Sequence, residues 1–310
     1  MGLTNVHGVA GLYRLARREV HGRVLDGKAL AADIRQALKE SLAASSRPPP
    51  GLATVVVGDD PASATYVASK HRACQEVGIA SFDRQLPANA TQEDLEECLA
   101  ELAADSRVSG ILLQLPLADG LDARAALERI GPDKDVDGLT WRSAGRLATG
   151  SPALVPCTPA GIMTILDHYG IEIEGRRAVV VGRSSLVGRP VASLLEQRNA
   201  TVTVCHSRTR ALAHDCQQAD ILIAAAGKPR LIGPEHVKPG AVVIDVGIHR
   251  TEDGLCGDVV REAVQDKVGA ITPVPGGVGP MTIASLLVNT VQAHHQQAAA
   301  VAEVGGDRRG

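Results

Sequence analysis

The stretch Ala178–Gly188, with the sequence AVVVGRSSLVG, decides the fold of the second half of the chain. Its four leading apolar residues predict a short buried strand, and the turn that begins at Gly182 ends at Gly188, where a helix is expected. Such a turn presents backbone N–H groups at the positive end of a helix dipole, which suits a pyrophosphate. The segment therefore predicts a dinucleotide-binding α/β unit. The spacing G-x-S-x-x-x-G also fits a tight strand-to-helix turn without a ligand.

The next strand indicates which dinucleotide is bound. In an NAD-binding unit an Asp or Glu about 20 residues after the glycine turn holds the ribose hydroxyls. Here the predicted strand 200–205 is followed by His206, Ser207 and Arg208, without an acid at its tip. Hydroxyl and cationic groups suit a 2′-phosphate, to which Arg183 and Arg210 could add. This favours NADP over NAD, and the alternative is a solvated basic turn.

Predicted strands and helices alternate along most of the chain. This pattern implies parallel sheets covered on both faces, in an α/β fold with its main boundary near residues 156–158. The predicted strands span residues 52–57, 111–117, 178–181, 200–205, 221–225 and 241–246, and the predicted helices span 28–45, 61–77, 91–104, 158–168 and 281–294.

Composition narrows the class of protein. The 310 residues carry a formal net charge of -3 and are 45% hydrophobic but only 2% aromatic, which is typical of a soluble chain with an aliphatic core. This weighs against a nucleic-acid partner, and no apolar run is long enough to span a membrane. The six cysteines show no zinc-site spacing, so we expect reduced thiols in the cytoplasm and no metal. The Arg-rich start, 1–22, predicts a disordered extension, an early start codon or a weak targeting segment.

Two sets of polar side chains in the first half of the chain could have a catalytic role. Tyr66 and Lys70 are four residues apart on the predicted helix 61–77 and share a face. A lysine whose environment lowers its basicity could move protons, although a packed ring and a snorkelling chain would look the same. Gln114 interrupts an apolar strand, so its amide either pins a loop or points into a pocket. The acidic loop 133–138 does not match an EF-hand.

Seven segments in order resemble one family. They are VGDDPASATYVASKHRAC, GILLQLPL, PDKDVDGL, PCTPAG, VVGRSSLVGRP, CHSRT and PVPGGVGPMT. Their order and content resemble bifunctional methylenetetrahydrofolate dehydrogenase/methenyltetrahydrofolate cyclohydrolase, over about residues 24–296. The resemblance implies two α/β domains flanking a cleft, the second a Rossmann-like NADP-binding domain. Residues 23–157, completed by a C-terminal helix 281–296, would form the folate-binding catalytic domain, and 158–280 the NADP domain, with a disordered tail at 297–310.

The resemblance also assigns residues. It implies Lys70, Tyr66, Gln114 and Asp137 as catalytic, with Asp137 holding the pterin ring. The remaining implied folate contacts are Leu115, Pro116, Pro273, Gly276 and Gly277, and the implied NADP contacts are Gly182, Arg183, Ser184, Ser207 and Ile248.

The implied activity is oxidation of 5,10-methylenetetrahydrofolate with NADP, followed by hydrolysis of the methenyl product to 10-formyltetrahydrofolate. The implied partners are tetrahydrofolate derivatives and a second copy of the chain, paired through the NADP domains. Ser143 departs from the asparagine that related sequences commonly carry there. A short-chain dehydrogenase is disfavoured because its glycine turn precedes its Tyr/Lys pair. The remaining alternatives are a cyclohydrolase with an inactive dehydrogenase half and a non-catalytic folate-binding relative.

Overall fold

The computed structural model describes residues 24–59, 61–252 and 254–306, without the side chains of 61–66 and 301–306. The predicted extension 1–22 and the last residues of the predicted tail, 307–310, lie outside this description. The described chain divides into two compact units. The first unit contains residues 34–155 and 286–306, and the second contains 24–33 and 156–285.

The first unit is built on one short parallel sheet. Its helices are α1 (Gly27–Ala43, which begins in the second unit), α2 (Pro61–Val77), α3 (Gln92–Ala104), α4 (Ala123–Leu127) and α5 (Trp141–Ala148). Its strands are β1 (Gly51–Val57), β2 (Ala80–Ser81), β3 (Arg84–Leu86) and β4 (Gly110–Leu113). β2 and β3 pair in succession with one edge of β1, and β4 pairs with the other edge, all parallel. Since β1 is central, the chain segments after β1 and β4 leave the sheet side by side.

Helix α3 shows how the local sequence fixes an element. Thr91 accepts a hydrogen bond from Asp94 N at 3.2 Å, and Asp94 Oδ2 accepts one from Thr91 N at 2.8 Å, which forms a capping box. Leu95, Leu99 and Leu102 recur at helical spacing and are fully or almost fully buried. They pack into the core formed with β1 and β4, so the helix covers one face of the sheet.

The second unit is a doubly wound α/β sheet. Its helices are α6 (Cys157–His168), α7 (Gly188–Gln197), α8 (Leu212–Cys216), a 3-10 turn (Pro234–His236), α9 (Arg261–Val264) and the start of α10 (Val278–Gly306). Its strands are β5 (Arg177–Val181), β6 (Thr201–Cys205), β7 (Ile221–Ala224), β8 (Val242–Asp245), β9 (His249–Thr251), β10 (Gly254–Cys256) and β11 (Ala270–Ile271). Five strands form a parallel sheet in the order β11-β8-β7-β5-β6, and β9 with β10 forms an antiparallel hairpin.

The strand order places a topological switch point between β5 and β7. β5 is the first strand of this sheet in the chain and lies between β6 and β7, so successive connections run in opposite directions from it. Ligands of open α/β sheets bind at the carboxyl ends of the strands at such a point. The carboxyl end of β5 is Val181, directly before Gly182.

Two differences from the sequence predictions have physical causes. β4 ends at Leu113 rather than at residue 117. Gln114 still donates one backbone bond to Val55 O, but Pro116 cannot donate to a ladder. The last helix runs from Val278 to Gly306, so residues 297–306 are helical where a disordered tail was predicted. This part contains the alanine-rich sequence AAAVAE, which strongly favours a helix.

The remaining predicted elements lie within one or two residues of those observed, and helix α2 has the predicted bounds. Among the described residues, no helix combines the length and apolarity required to cross a lipid bilayer.

Candidate active site

Lys70 and Gln114 form a hydrogen-bonded pair in the first unit. Lys70 lies in the third turn of α2, which follows β1, and Gln114 directly follows β4. The Gln114 backbone N–H donates to Val55 O at 2.9 Å, continuing the pairing of β4 with β1 by one residue. Lys70 Nζ donates to Gln114 Oε1 at 2.9 Å in a half-buried setting.

The amide of Gln114 is held at both ends. Its Nε2 donates to Leu115 O at 2.8 Å while its Oε1 accepts from Lys70. An amide with both atoms engaged cannot rotate without losing a bond. Gln114 therefore presents a fixed acceptor to the lysine. The sequence-predicted substrate contacts Leu115 and Pro116 come next in the chain and are partly and largely exposed.

Tyr66 lies one turn before Lys70 on α2. This i, i+4 spacing places the two residues on the same helix face. The Tyr66 side chain lies outside the described part of the structure, so its predicted role stays a prediction.

The acidic loop 133–138 is organised by a carboxylate that sequence reasoning did not single out. Asp135 is 1% exposed, and its side chain accepts from Leu139 N at 3.0 Å and from Thr140 N at 2.9 Å. The loop thereby runs directly into α5, whose first residue follows Thr140. A buried acid with two backbone donors is a structural group, so the three acids of this loop have different roles.

Asp137 is the partly exposed acid of the same loop. Asp135 forms a parallel bridge with Ile111 of β4, so the chain from 135 to 137 runs toward the carboxyl edge of the sheet. Asn289 of α10 donates to Val136 O and to Val155 O, each at 2.8 Å. This amide fixes the backbone directly before Asp137, and it too was missed because a lone Asn in an apolar helix gives no distinctive signal.

Ser143, the departure from the family pattern, is buried in the first turn of α5. Its N–H donates to Thr140 Oγ1 at 3.2 Å, and its hydroxyl accepts from that hydroxyl at 3.1 Å. At this position the serine hydroxyl contributes to the N-terminal cap of α5.

In the second unit, two close backbone approaches form the glycine turn after β5. Gly182 has φ +130, and a Cβ on it would lie 2.0 Å from Ala225 O, in the loop after β7. A Cβ on Gly188 would lie 2.3 Å from Gly182 O, so only glycine lets α7 begin this close to the strand. The spacing that looked unusual in the sequence therefore has the geometry of a dinucleotide-binding turn, with a tight reversal and close helix–strand packing.

The residues between the two glycines face solvent. Arg183 and Ser184 are exposed, and Ser184 Oγ accepts from Val187 N at 3.2 Å and from Gly188 N at 3.4 Å. The turn is thus preformed at the N-terminus of the ten-residue helix α7. An exposed guanidinium beside a helix N-terminus suits a phosphate-bearing ligand.

The loop after β6 lies at the same edge of the sheet. Gly182 N donates to Cys205 O at 2.9 Å, which ties the glycine turn to the end of β6. His206 N donates to Thr209 Oγ1 at 2.9 Å, and this leaves Ser207 and Arg208 exposed at the tip. The predicted phosphate-binding groups are therefore neighbours of the glycine turn.

The loop after β8 supplies an exposed apolar residue. Ile248 is 48% exposed although it is large and hydrophobic. Gly279, in the first turn of α10, lies close enough that a Cβ on it would be 3.1 Å from Ile248 Cδ1. An aliphatic side chain at the carboxyl edge of a parallel sheet is suited to packing against a planar ring.

The glycine-rich segment 273–277 packs on the start of α1. A Cβ on Gly27 would lie 2.0 Å from Gly277 O, and Lys28 N donates to Gly276 O at 2.8 Å. Gly276 has φ +104, a conformation that favours glycine. The glycines predicted to line the site thus also serve close backbone packing, with Pro273 partly buried beside them.

None of the six cysteines, all of which lie within the described residues, forms a disulfide. Burial raises the pKa of the Cys74 thiol and of the Cys216 thiol to about 12, which makes both unreactive at neutral pH. Among the described residues, no cluster of three His, Cys, Asp or Glu side chains is placed to hold a metal ion.

These features define the class of protein. A parallel sheet with a switch point, a glycine turn of close backbone approaches and exposed cationic groups at its carboxyl edge is typical of a dinucleotide-dependent α/β enzyme. The Lys70–Gln114 pair at the edge of the other sheet is of a kind that can transfer protons.

Comparison with known proteins identifies the family. A model described as the catalytic domain of tetrahydrofolate dehydrogenase/cyclohydrolase matches residues 25–137, and one described as the NAD(P)-binding domain of the same family matches 156–298. The chain belongs to the tetrahydrofolate dehydrogenase/cyclohydrolase family.

Individual relatives agree over almost their whole length. The Bifunctional protein FolD 2 of Frankia alni is 58% identical over 286 residues, which is 91% of this chain and 98% of that protein. The FolD enzyme of Campylobacter jejuni has a crystal structure that superposes with a TM-score of 0.87 at 47% identity, covering 88% of this chain and 99% of that one. The Trypanosoma brucei enzyme, solved with NADP and an inhibitor, gives a TM-score of 0.83 at 40% identity, covering 89% and 98%.

These comparisons confirm the predicted α/β fold and the prediction of a bifunctional dehydrogenase and cyclohydrolase.

Proposed function

We propose that this enzyme oxidises 5,10-methylenetetrahydrofolate with NADP and hydrolyses the 5,10-methenyl product to 10-formyltetrahydrofolate, using the residues described above. The observation that carries the assignment of roles is the 2.9 Å bond from Lys70 Nζ to Gln114 Oε1. It places an amine with a fixed orientation at the carboxyl edge of the sheet in the unit that matches the family's catalytic domain.

In the first reaction the methylene carbon loses a hydride and becomes a cationic methenyl bridge. Bound NADP supplies the acceptor for that hydride. The chain's contribution is to bind and orient the reactants, which is where most of the rate of such transfers comes from. Asp137 accepts hydrogen bonds from the N–H edge of the pterin ring, and charge-assisted bonds of this kind are strong and directional.

In the second reaction water adds to the methenyl carbon, one C–N bond breaks and a proton is released, which gives the 10-formyl product. Lys70 Nζ carries a proton between water and the departing ring nitrogen, because it is the basic group beside Gln114 and can exchange protons when held in place. Gln114 orients Lys70, while Tyr66, Leu115 and Pro116 line the folate. Pro273, Gly276 and Gly277 are proposed as further folate contacts.

For the cofactor, Gly182, Arg183 and Ser184 bind phosphates, with Ser207 at the 2′-phosphate and Ile248 against a ring of the dinucleotide. The residues fit this ligand, since the turn lies at the N-terminus of α7 and Arg183 is exposed there. The absence of an acid at the tip of β6 supports NADP over NAD.

We also propose a cytoplasmic homodimer that pairs through the second unit. β6 is an edge strand of the five-stranded sheet, and its Val204 is 40% exposed. Unpaired edge strands with apolar side chains favour association with another chain. Light scattering of the purified protein would test this, with Val204→Lys expected to weaken the dimer and a monomeric wild type contradicting it.

The activity is tested with purified protein, methylenetetrahydrofolate and either NADP or NAD. We expect NADPH to form, and the methenyl absorbance to rise transiently and decay without further cofactor. NADPH formation with a stable methenyl product would remove the hydrolase assignment, and no reduction of either cofactor would remove the dehydrogenase.

A further inference from the structure

Asp258 is completely buried at the carboxyl edge of the second sheet, where it holds the loop after β7. Its Oδ2 accepts from Ala226 N at 2.6 Å and from Gly227 N at 2.9 Å. Its Oδ1 lies 2.7 Å from His249 Nε2, which carries the shared proton because a carboxylate only accepts. The backbone at 226–227 is thus fixed by a residue about 30 positions further along the chain.

Asp245, the last residue of β8, holds Asp258 in turn. It is 3% exposed, and its Oδ1 accepts from Gly247 N at 3.0 Å and from Asp258 N at 2.9 Å. Its Oδ2 accepts from Val259 N at 3.0 Å. The two carboxylates therefore connect the loops after β7 and β8 with the segment that follows the β9–β10 hairpin.

Both carboxylates sit directly on glycine backbone. A Cβ on Gly247 would lie 2.4 Å from Asp258 Oδ1, and a Cβ on Gly257 would lie 1.9 Å from Asp245 Oδ2. Side chains cannot occupy these positions without displacing the acids. The two hydrogen-bonded aspartates therefore require glycine at positions 247 and 257.

The loops that this network holds adjoin Gly182 and Ile248, which are proposed above to contact the dinucleotide. Ala225, directly before the Ala226 N–H that Asp258 binds, is the residue that Gly182 approaches so closely. Gly247, held by Asp245, directly precedes the exposed Ile248. A shift of either loop would displace the glycine turn or the apolar contact. The two acids are too buried to touch a bound dinucleotide themselves.

We propose that Asp258, anchored by Asp245, is a positioning residue for NADP: it fixes the backbone at 226–227 against the glycine turn. This inference rests on the placement of the dinucleotide at this sheet edge under the proposed function. Asp258 acts through backbone N–H groups, so the acceptor oxygen matters more than the charge.

The test compares Asp258→Asn and Asp258→Ala by calorimetric titration with NADP. Asparagine keeps one oxygen for Ala226 and Gly227, and its amide can donate to His249 Nε2 in the ring tautomer that has its proton on Nδ1. Alanine leaves two buried N–H groups without partners. We expect the Kd for NADP to rise roughly tenfold in the Asn variant and roughly a hundredfold in the Ala variant. Hydrolysis of added methenyltetrahydrofolate, which needs no dinucleotide, should stay near wild type in the Asn variant.

Asp220→Asn is the matched control. Asp220 also accepts a backbone bond, from Arg177 N at 3.0 Å, but at the opposite edge of the same sheet. The Asp220→Asn variant should leave the Kd for NADP unchanged.

Wild-type NADP affinity in both Asp258 variants would overturn the inference and leave the proposed function standing. Equal loss of NADP binding and hydrolysis in the Asn variant would overturn it too, by showing a merely structural role. Failure of the wild type itself to bind NADP would overturn both.

Discussion

Lys70 on helix α2 donates to Gln114, the residue after β4, across 2.9 Å. The two lie 44 positions apart in the chain, and the parallel pairing of β1 with β4 brings their elements to one sheet edge. Gln114 Nε2 donates to Leu115 O, so the Oε1 atom that accepts from Lys70 is held in one orientation. Substitutions in this pair should therefore impair the proposed hydrolase activity more than the proposed dehydrogenase activity.

Lys70→Met should abolish methenyl hydrolysis while some NADPH formation persists. The substitution keeps the length of the side chain but removes the proton carrier, and such groups contribute on the order of 100-fold or more to rate. The measurement is the rate of methenyl decay beside the rate of NADPH formation in the same preparation. Lys39→Met, on an exposed part of α1, is the control. Equal loss of both activities would contradict the division of roles.

Gln114→Glu should impair hydrolysis more than dehydrogenation. A carboxylate in this place attracts the ammonium form of Lys70, and it loses the Nε2 donor that holds Leu115 O. Gln114→Asn, which keeps the amide but shortens the side chain, gives the matched comparison. Full hydrolase activity in the glutamate variant, measured over a range of pH, would show that Gln114 does not control Lys70.

Arg183→Ala should weaken NADP more than NAD. Arg183 is exposed in the glycine turn, and loss of a charge-assisted bond to a phosphate costs about 1.5–3 kcal/mol, or roughly 10- to 100-fold in KM. The ratio of KM values for the two cofactors measures the effect. Arg176→Ala removes an exposed arginine that pairs with Glu172 instead. An unchanged ratio in the Arg183 variant would exclude it from the 2′-phosphate pocket.

Two glycine substitutions should have opposite effects on stability. Gly188→Ala places a Cβ 2.3 Å from Gly182 O, so we expect lower stability and weaker NADP binding. Gly145 lies within α5 with no atom within 4 Å of its Cβ position, so Gly145→Ala should add about 0.5–1 kcal/mol. Urea unfolding of the wild type and of the two variants measures both changes in the free energy of unfolding. A stabilised Gly188 variant would mean that the glycine turn is not closely packed.

Asp245 should make stability fall as pH rises. Burial, reinforced by the charge of Asp258, raises the pKa of Asp245 from 3.8 to about 6, against the bonds from Asp258, Val259 and Gly247 N–H groups. A group whose pKa is raised in the folded state stabilises below its unfolded pKa, and that contribution is lost as pH rises through the folded value. Between about pH 4 and pH 6 the free energy of unfolding should fall by at most about 3 kcal/mol.

The measurement is the difference in free energy of unfolding between wild type and Asp245→Asn across that range. We expect wild type to lose stability relative to the variant as pH rises, and a difference independent of pH would refute the shift. The slope is the readout because the amide also changes the hydrogen bonds, which alters the absolute stability at every pH.

The order and type of most elements can be predicted from the sequence, because apolar periodicity, Pro61 at a helix start and the capping pair at Thr91 and Asp94 act locally. The sequence also indicated the glycine turn at 182–188 and singled out Gln114 as an amide that needed partners. Family motifs then named the chemistry, since several specific segments in one order are hard to obtain otherwise.

Which polar groups form hydrogen bonds with each other depends on the tertiary structure. Asp135, Asp245, Asp258 and Asn289 hold backbone groups that the sequence places far away or gives no reason to connect. Strand pairing and close glycine contacts bring these partners together, and burial then makes each hydrogen bond obligatory. Local patterns cannot encode such contacts, because they depend on elements that fold together only when the whole sheet forms.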